Sequence, residues 1–247
     1  MEAYRDFASV YDMFMDNIDY PAWSDYIVEL LNKYGITGGQ VLELGCGTGT
    51  ITELLANKGY EMIGLDNSSE MLSVATNKKS VSGHDILYIL QDMCDFELHR
   101  SVNAIISVCD SMNYILEEND LLKVFKQVNE YLDIDGVFIF DLNTIYKYEK
   151  MLGDNTFAEN REDGSFIWEN FYDEGTQINE YDLTLFIANE DGLYQKSEEV
   201  HCQRAYAIRQ IKDLLKRVGL ETVKVYDAFT FEEPKDDSER IYIIARK

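Results

Sequence analysis

Strand-like and helix-like segments alternate along the first two-thirds of this chain, and no other feature restricts its fold so strongly. Short apolar segments of strand type are predicted at residues 40–44, 61–65, 86–90, 102–108 and 137–142. Segments with apolar residues at helical spacing are found at residues 21–34, 50–58, 69–77, 119–132 and 144–152, and we expect Asn119 to cap its helix. Strands joined by single helices form right-handed βαβ units. The sequence therefore predicts an α/β fold with a doubly wound, mostly parallel sheet.

The pattern changes after residue 152. Three segments alternate polar and apolar residues with a period of two, at 165–172, 177–188 and 193–204. Two turn sequences separate them, Asp173-Glu174-Gly175 and Asn189-Glu190-Asp191-Gly192. Such turns between alternating segments favour β-hairpins. We predict that residues 153–204 form a small antiparallel β insertion in an α/β domain built from residues 1–152 and 205–247.

Helical spacing returns at residues 207–218, and two further strands are predicted at 221–229 and 240–245. No helix lies between these last two strands, so they are expected to be antiparallel neighbours. With the five strands of the first part, they bring the predicted main sheet to seven strands.

Charge and composition exclude several classes of partner. The formal net charge is −24, with 22 basic residues against 46 acidic ones, which disfavours a phosphate-binding surface and predicts no nucleic-acid partner. No apolar stretch approaches the roughly 18 residues of a membrane span. Residues 1–6 lack the pattern of a secretory signal. The four cysteines form no CxxC pair. We expect a cytoplasmic protein with reduced thiols and no metal site, either a monomer or a homodimer.

The segment that joins the first strand to the next helix carries the strongest functional signal. It reads Glu43-Leu44-Gly45-Cys46-Gly47-Thr48-Gly49. Glycines at the carboxyl edge of a parallel sheet let the backbone approach a nucleotide. Dinucleotide-binding domains use G-x-G-x-x-G instead and hold a pyrophosphate, which a neighbouring carboxylate would repel. S-adenosylmethionine (SAM) has a sulfonium and an ammonium group but no phosphate, so the acidic Glu43 favours SAM.

Two more acids stand at the ends of the second and third predicted strands. Asp66 can hold both hydroxyls of a ribose, and Asp92 can meet the amino group of an adenine. Met71 either packs against the adenine or belongs to the core. Asn67 is a candidate cofactor residue, but its segment could instead cap the helix that follows. After the fourth strand, Asp110 is either a site residue or a polar loop residue. One acid at each of three successive strand ends strengthens the SAM prediction.

These motifs resemble those of the class I SAM-dependent methyltransferases, over essentially the whole chain. The resemblance implies the strand order 3-2-1-4-5-7-6 with an antiparallel last strand. It also implies that SAM is the methyl donor and S-adenosylhomocysteine (SAH) the product. The expected cofactor-binding residues are Tyr11, Glu43, Gly45, Cys46, Gly47, Thr48, Asp66, Asn67, Met71, Asp92, Met93, Cys109 and Asp110.

The same resemblance suggests where the methyl acceptor binds. Phe7-Ala8-x-x-Tyr11-Asp12 is similar to the arm that small-molecule methyltransferases fold over SAM, which would place Tyr11 near the methyl group; alternatively Tyr11 only anchors the arm. The insertion resembles the acceptor-side insertions of small-molecule N- and O-methyltransferases, including those for glycine and aminosugars. No Asn-Pro-Pro-Tyr signature follows the fourth strand, which disfavours DNA adenine or protein glutamine as the acceptor.

An acceptor amine or hydroxyl can require a general base. Tyr11 and His201 are the predicted catalytic residues, although His201 could instead be hydrogen-bonded within the sheet. The predicted acceptor-side residues are Tyr20, Trp23, Tyr114 and Arg204; for Arg204 an ion pair is the alternative. We therefore predict methyl transfer from SAM to a small-molecule N or O acceptor. A non-catalytic SAM-binding module and a nicotinamide-dependent oxidoreductase are the alternative hypotheses.

Overall fold

The structure is a computed structural model that describes residues 7–189 and 191–247. Residues 1–6, for which no secretory signal is expected, lie outside these ranges. Glu190 of the second predicted turn also lies outside them. Among the described residues, no helix has both the length and the apolar character that crossing a membrane requires.

Within the described residues, eleven strands and six α-helices follow one another, and all but β6 and α1 were predicted from the sequence. The strands are β1 (Gln40–Leu44), β2 (Glu61–Asp66), β3 (Leu87–Leu90), β4 (Val102–Ser107), β5 (Leu132–Asn143), β6 (Thr156–Asn160), β7 (Gly164–Asp173), β8 (Ile178–Ala188), β9 (Tyr194–Arg204), β10 (Glu221–Asp227) and β11 (Arg240–Arg246). The helices are α1 (Tyr11–Phe14), α2 (Tyr20–Lys33), α3 (Thr50–Asn57), α4 (Ser69–Ser82), α5 (Glu118–Tyr131) and α6 (Ile208–Arg217). Single helical turns span Phe7–Ser9, Ser111–Tyr114 and Lys147–Leu152.

The main sheet has seven strands in the order β3-β2-β1-β4-β5-β11-β10, which confirms the predicted order. β1 pairs in parallel with both β2 and β4, while β11 runs antiparallel to β5 and β10. The carboxyl ends of β1, β2 and β4 therefore meet at one edge. The order reverses between β1 and β4, and α/β proteins bind ligands in the crevice at such a switch point.

Both faces of this sheet are buried. Leu42 and Leu44 of β1 pack into a core with α5 and α6, whereas Val41 packs on the opposite face against α2 and α3. Successive side chains of a strand point to opposite faces, so a strand covered on both sides reads as a continuous apolar run. This is why the central parallel strands are recognisable from sequence, whereas β3 at the edge is half-buried or exposed.

The insertion forms a separate antiparallel sheet in the order β6-β7-β8-β9. It has four strands rather than the predicted three, because β6 (Thr156–Asn160) was not recognised. β6 is a short edge strand whose residues are half-buried or exposed, so it lacks a strong apolar pattern. The division of the chain at residues 152 and 204 remains a prediction.

The predicted cap of α5 was wrong. The helix begins at Glu118 and follows Glu117, whose extended backbone makes it the N-cap without a side-chain hydrogen bond. Asn119 therefore lies within the first turn. Glu118 and Asp120 in that turn are favourable at the positive end of the helix dipole, which supports an earlier start than Asn119 suggested.

Candidate cofactor and acceptor site

One cavity of about 820 Å³ opens at the carboxyl edge of the main sheet. The predicted cofactor residues in its wall are Tyr11, Glu43, Gly45, Cys46, Gly47, Thr48, Asp66, Asn67, Met71, Asp92, Met93 and Cys109. Of the predicted acceptor-side residues, Tyr20 and Tyr114 also line it. Most of the residues that the sequence predicts for the site therefore line this one cavity.

The glycine-rich turn shapes the floor of the cavity. Gly45, Gly47 and Gly49 all have positive φ, between 54° and 74°. A Cβ atom on Gly45 would lie 2.7 Å from the Ser111 side chain, too close for any other residue without displacement of the loop after β4. Glycine at this position is therefore required by close packing as well as by the backbone conformation.

Asp66 ends β2 and is tied to the glycine turn. Its Oδ2 accepts a hydrogen bond from the Gly47 amide at 2.8 Å, and its Oδ1 accepts one from the Ser68 amide at 2.9 Å. Burial raises the pKa of this carboxyl. The Ser68 hydroxyl in turn caps α4 by accepting from the Met71 amide. Asp66 therefore fixes the turn and lies in the cavity wall beside Asn67.

Glu43 lies deeper, at the end of β1. Its side chain is almost completely buried, and the Thr52 hydroxyl of α3 donates a 2.5 Å hydrogen bond to its Oε2. Burial raises the pKa of Glu43 to about 8, and the neighbouring Asp66 adds to the effect. A group with this pKa is mostly neutral at pH 7, and a cation bound nearby would favour its ionised form.

The charges of the cavity fit SAM better than a pyrophosphate ligand. Every charged residue in its described wall is acidic, and these residues are Glu43, Asp66, Glu70, Asp92, Glu117 and Asp120. Carboxylates favour a sulfonium and an ammonium and repel phosphate. Asp92 and Met93, where the sequence predicts the adenine, follow β3 and line the cavity, and Met71 is a buried residue of the same wall.

The loop after β4 holds two residues in an unusual conformation. Cys109 and Asp110 both have left-handed φ, at 59° and 55°, which costs energy for residues with a side chain. The buried carboxylate of Asp141, on β5, accepts hydrogen bonds from both amides at 3.2 and 2.8 Å. Asp141 thus stabilises the loop that lines the cavity, although no local sequence pattern singles it out.

Asp110 itself does not line the cavity. Its Oδ1 pairs with Arg240 at 2.6 Å and its Oδ2 accepts from Gln203 at 2.6 Å, while Arg240 also pairs with Asp141 at 2.6 Å. The carboxylate is thus held by two side chains outside the cavity wall, and its predicted contact with the cofactor stays a prediction. Its partner Arg240 comes from β11, 130 positions further along the chain, and only the sheet order brings the two together.

The N-terminal arm closes one side of the cavity. Asp12 accepts a 2.7 Å hydrogen bond from the Thr48 hydroxyl and pairs with Lys78 of α4 at 2.6 Å. Below it, Val10 and Phe14 pack against Leu183 and Leu185 of the insertion sheet. The arm is therefore held between the glycine turn and the insertion, with Tyr11 in the cavity wall.

Trp23 and Arg204 are placed away from the cavity. The Trp23 ring is buried, donates from its indole nitrogen to the Tyr242 hydroxyl, and lies under the Arg240 guanidinium. The Arg204 guanidinium donates to the Leu116 carbonyl at 2.7 Å and lies over the Tyr206 ring. Neither side chain lines the described cavity, and their predicted contact with the acceptor stays a prediction. Among the described residues, Arg204 contacts a carbonyl and a ring rather than the carboxylate of the alternative ion pair.

His201 is buried and does not touch the cavity directly. Its Nε2 lies 3.1 Å from Glu199 Oε2, and its Nδ1 lies 3.4 Å from the hydroxyl of Tyr114. The imidazole also stacks on the Tyr181 ring, with 4.9 Å between centroids. The sequence thus selected a residue near the site but could not show that Tyr114 stands between it and the cavity.

The reversed strand pair at the end of the sheet, the G-x-G-x-G turn and an acidic cavity at the β1–β4 switch point together define a class I, Rossmann-like, SAM-dependent methyltransferase. Comparison with known proteins agrees. Residues 41–136 match a family described as "Methyltransferase domain". The chain is 36% identical to "Putative methyltransferase YqeM" of Bacillus subtilis (strain 168), over 99% of this chain and 97% of that protein.

One structural similarity and one further sequence similarity support the same family assignment. A crystal structure of a SAM-dependent methyltransferase from Clostridium acetobutylicum superimposes with a TM-score of 0.87, at 32% identity and 99% coverage of both chains. A sugar enzyme of Streptomyces venezuelae, dTDP-3-amino-3,4,6-trideoxy-α-D-glucopyranose N,N-dimethyltransferase, is 29% identical over 55% of this chain and 56% of its own. The chain belongs to the SAM-dependent methyltransferases. SAM is its methyl donor and SAH its product, and the nicotinamide hypothesis is wrong.

Proposed function

We propose that this enzyme transfers the SAM methyl group to a nitrogen or oxygen atom of a small molecule. The observation that carries the proposal is the composition of the cavity wall. The wall contains the glycine turn and the acids Glu43, Asp66 and Asp92, as the donor requires. It also contains three tyrosines from three segments, which are Tyr11 of the arm, Tyr20 of α2 and Tyr114 of the loop after β4, and we assign these to the acceptor end.

The tyrosines supply an aromatic wall with hydroxyl groups that suits a small polar acceptor. Burial raises the pKa of Tyr20 well above its usual value, so its phenol stays neutral. Neutral aromatic rings attract cations through their π-electrons. SAM supplies a methyl carbon already activated by the sulfonium, so the residues of this chain mainly align the acceptor and exclude water. The arm and the insertion sheet would enclose the acceptor.

The aminosugar relative supports a small acceptor, because that protein's name specifies an amino group on a sugar nucleotide. The net charge of −24 supports the absence of nucleic acid among the partners. We place the enzyme in the cytoplasm, as a monomer or a homodimer. In this proposal the predicted cofactor residues that line the cavity bind SAM, and residues 153–204 form the acceptor side.

Mass spectrometry of SAH and methylated product tests the proposal. Purified enzyme with SAM would be given a panel of primary and secondary amines, aminosugars and phenols, with the Asp66→Ala variant as a matched control. We expect product formation with at least one small acceptor by the wild type, and much less by the variant. SAM binding with SAH formed only when RNA or a protein is added would overturn the proposal, and SAM binding without SAH in any mixture would favour a non-catalytic module.

A further inference from the structure

A chain of hydrogen-bonding side chains leads from the cavity into the insertion sheet. Tyr114 lines the cavity, its hydroxyl lies 3.4 Å from His201 Nδ1, and His201 Nε2 lies 3.1 Å from Glu199 Oε2. His201 and Glu199 are nearly fully buried. The first distance is long, but catalytic hydrogen bonds often shorten when a substrate binds. Three groups that can carry protons thus stand in line behind the acceptor end of the cavity.

The order of the contacts determines which imidazole nitrogen carries the proton. A carboxylate only accepts hydrogen bonds, so with Glu199 in that form Nε2, which faces it, is the nitrogen that donates. Nδ1 is then the acceptor, and it faces the hydroxyl of Tyr114. A hydroxyl can receive a proton on its oxygen while it passes its own proton on. Tyr114 can therefore transmit a proton from the cavity to His201.

Several packing contacts keep this arrangement in place. Glu199 Oε1 also accepts a 2.9 Å hydrogen bond from the Phe7 amide of the arm, so the carboxylate is oriented from two sides. The imidazole stacks on Tyr181, with 5° between the ring planes. The Tyr181 hydroxyl lies 2.5 Å from that of Tyr114, and it donates to the Tyr114 oxygen when the Tyr114 proton is directed at His201. Because β9 carries both Glu199 and His201 on the same face of the strand, the pair moves as a unit with the insertion sheet.

We propose that the acceptor is an amine that enters as a cation and loses its proton through Tyr114 to His201. This inference rests on the proposed function and specifies it further. Every charged residue in the described cavity wall is acidic, and the acceptor end is aromatic, so a protonated amine is attracted to the site. A protonated amine has no lone pair with which to attack, and the relay removes that obstacle. Tyr114 is the catalytic residue, and His201 and Glu199 are positioning residues that act through it.

The proton and electron changes balance. The acceptor ammonium gives a proton to Tyr114 Oη while the original phenol proton moves to His201 Nδ1, leaving an imidazolium beside Glu199. The freed lone pair of the amine nitrogen forms a bond to the methyl carbon, and the carbon–sulfur bond breaks with its electron pair staying on the sulfur of SAH. After product release, the proton on His201 returns through Tyr114 to water.

Steady-state kinetics on variants test the relay, with any amine that the acceptor panel identifies. Tyr114→Phe and His201→Gln are each expected to lower kcat by about 100-fold or more, with little change in the KM of the amine or in SAM affinity by calorimetry. The double variant is expected to be no slower than either single variant, because the two groups act as a unit. Tyr34→Phe, which removes a phenol hydroxyl that bonds Tyr226 and does not line the cavity, is the matched control and should retain wild-type kcat. Wild-type kcat in Tyr114→Phe or His201→Gln would overturn the proposal.

A second measurement needs no acceptor. The protein has only three histidines, so ¹⁵N-histidine labelling gives three imidazole patterns in an NMR spectrum, which His84→Asn and His99→Asn variants assign. We expect His201 to carry its proton on Nε2, and Glu199→Gln to move that proton partly to Nδ1. A proton on Nδ1 in the wild type would overturn the relay even if amines are methylated. If phenols but no amines are methylated, the amine inference fails and the proposed function stands. If no small molecule is methylated while the Nε2 tautomer is found, the proposed function fails and the relay geometry stands.

Discussion

SAM binding should release a proton from Glu43. The carboxyl is buried with a pKa of about 8, so at pH 7 the neutral form exceeds the ionised form by a factor of about 10. About nine-tenths of the molecules therefore hold this proton before SAM binds. The sulfonium and ammonium of SAM favour the carboxylate, and binding at pH 7 is expected to release about 0.9 proton from this residue.

The sign of the pH dependence follows. Below pH 8 part of the binding energy is spent on deprotonating Glu43, so SAM affinity should rise by up to about tenfold per pH unit until pH 8 and then level off. Stability without ligand should move in the opposite direction. The folded-state pKa lies above the ordinary glutamate value of 4.5, so the folded chain binds more protons between these values. It therefore becomes less stable as pH rises from 4.5 to 8, by up to about 5 kcal/mol.

Calorimetry in buffers with different ionisation enthalpies measures the number of protons directly, since the observed heat changes in proportion to the protons released. Glu43→Gln is the matched control because it keeps the size of the side chain and cannot ionise. We expect SAM binding to the variant to occur without this proton release. Most of the rise in SAM affinity between pH 6 and 8 should also be absent. Equal proton release by wild type and variant would show that Glu43 does not ionise when SAM binds.

Three further predictions follow from contacts around the cavity. Asp66→Asn should weaken SAM binding by about 1.5–3 kcal/mol, because hydrogen bonds from ribose to a charged acceptor are lost; unchanged affinity by calorimetry would refute the ribose assignment. Asp141→Asn should lower the unfolding free energy by about 3 kcal/mol, since Arg240 loses a buried partner; urea denaturation measures this, and a loss below 1 kcal/mol would contradict it. Phe14→Ala should cost about 3 kcal/mol in packing against the insertion and speed hydrogen exchange in residues 7–14, whereas unchanged exchange would show that other contacts hold the arm.

The donor half of the site was predictable because its signals are local. The segment 43–49 and Asp66 each follow directly on an apolar strand, so their position at the edge of a parallel sheet follows from the strand itself. The strand order was implied by family resemblance and by the missing helix between the last two strands. Both kinds of signal lie within short stretches of sequence.

Long-range partners could not be predicted in the same way. Asp110 pairs with Arg240 and Arg204 bonds the Leu116 carbonyl, contacts that join residues about ninety or more positions apart. A charged residue looks equally suited to a ligand or to an ion pair until its neighbours in space are known. For the same reason His201 was recognised as a candidate base, while Tyr114 as its link to the cavity was not.

A crystal structure of the enzyme with SAM tests the central claim most directly. We predict the ribose at Asp66, the adenine beside Asp92 and Met93, and the methyl group directed toward Tyr11, Tyr20 and Tyr114. Failure of SAM to occupy the cavity at saturating concentration, or a methyl group directed away from these tyrosines, would contradict the account.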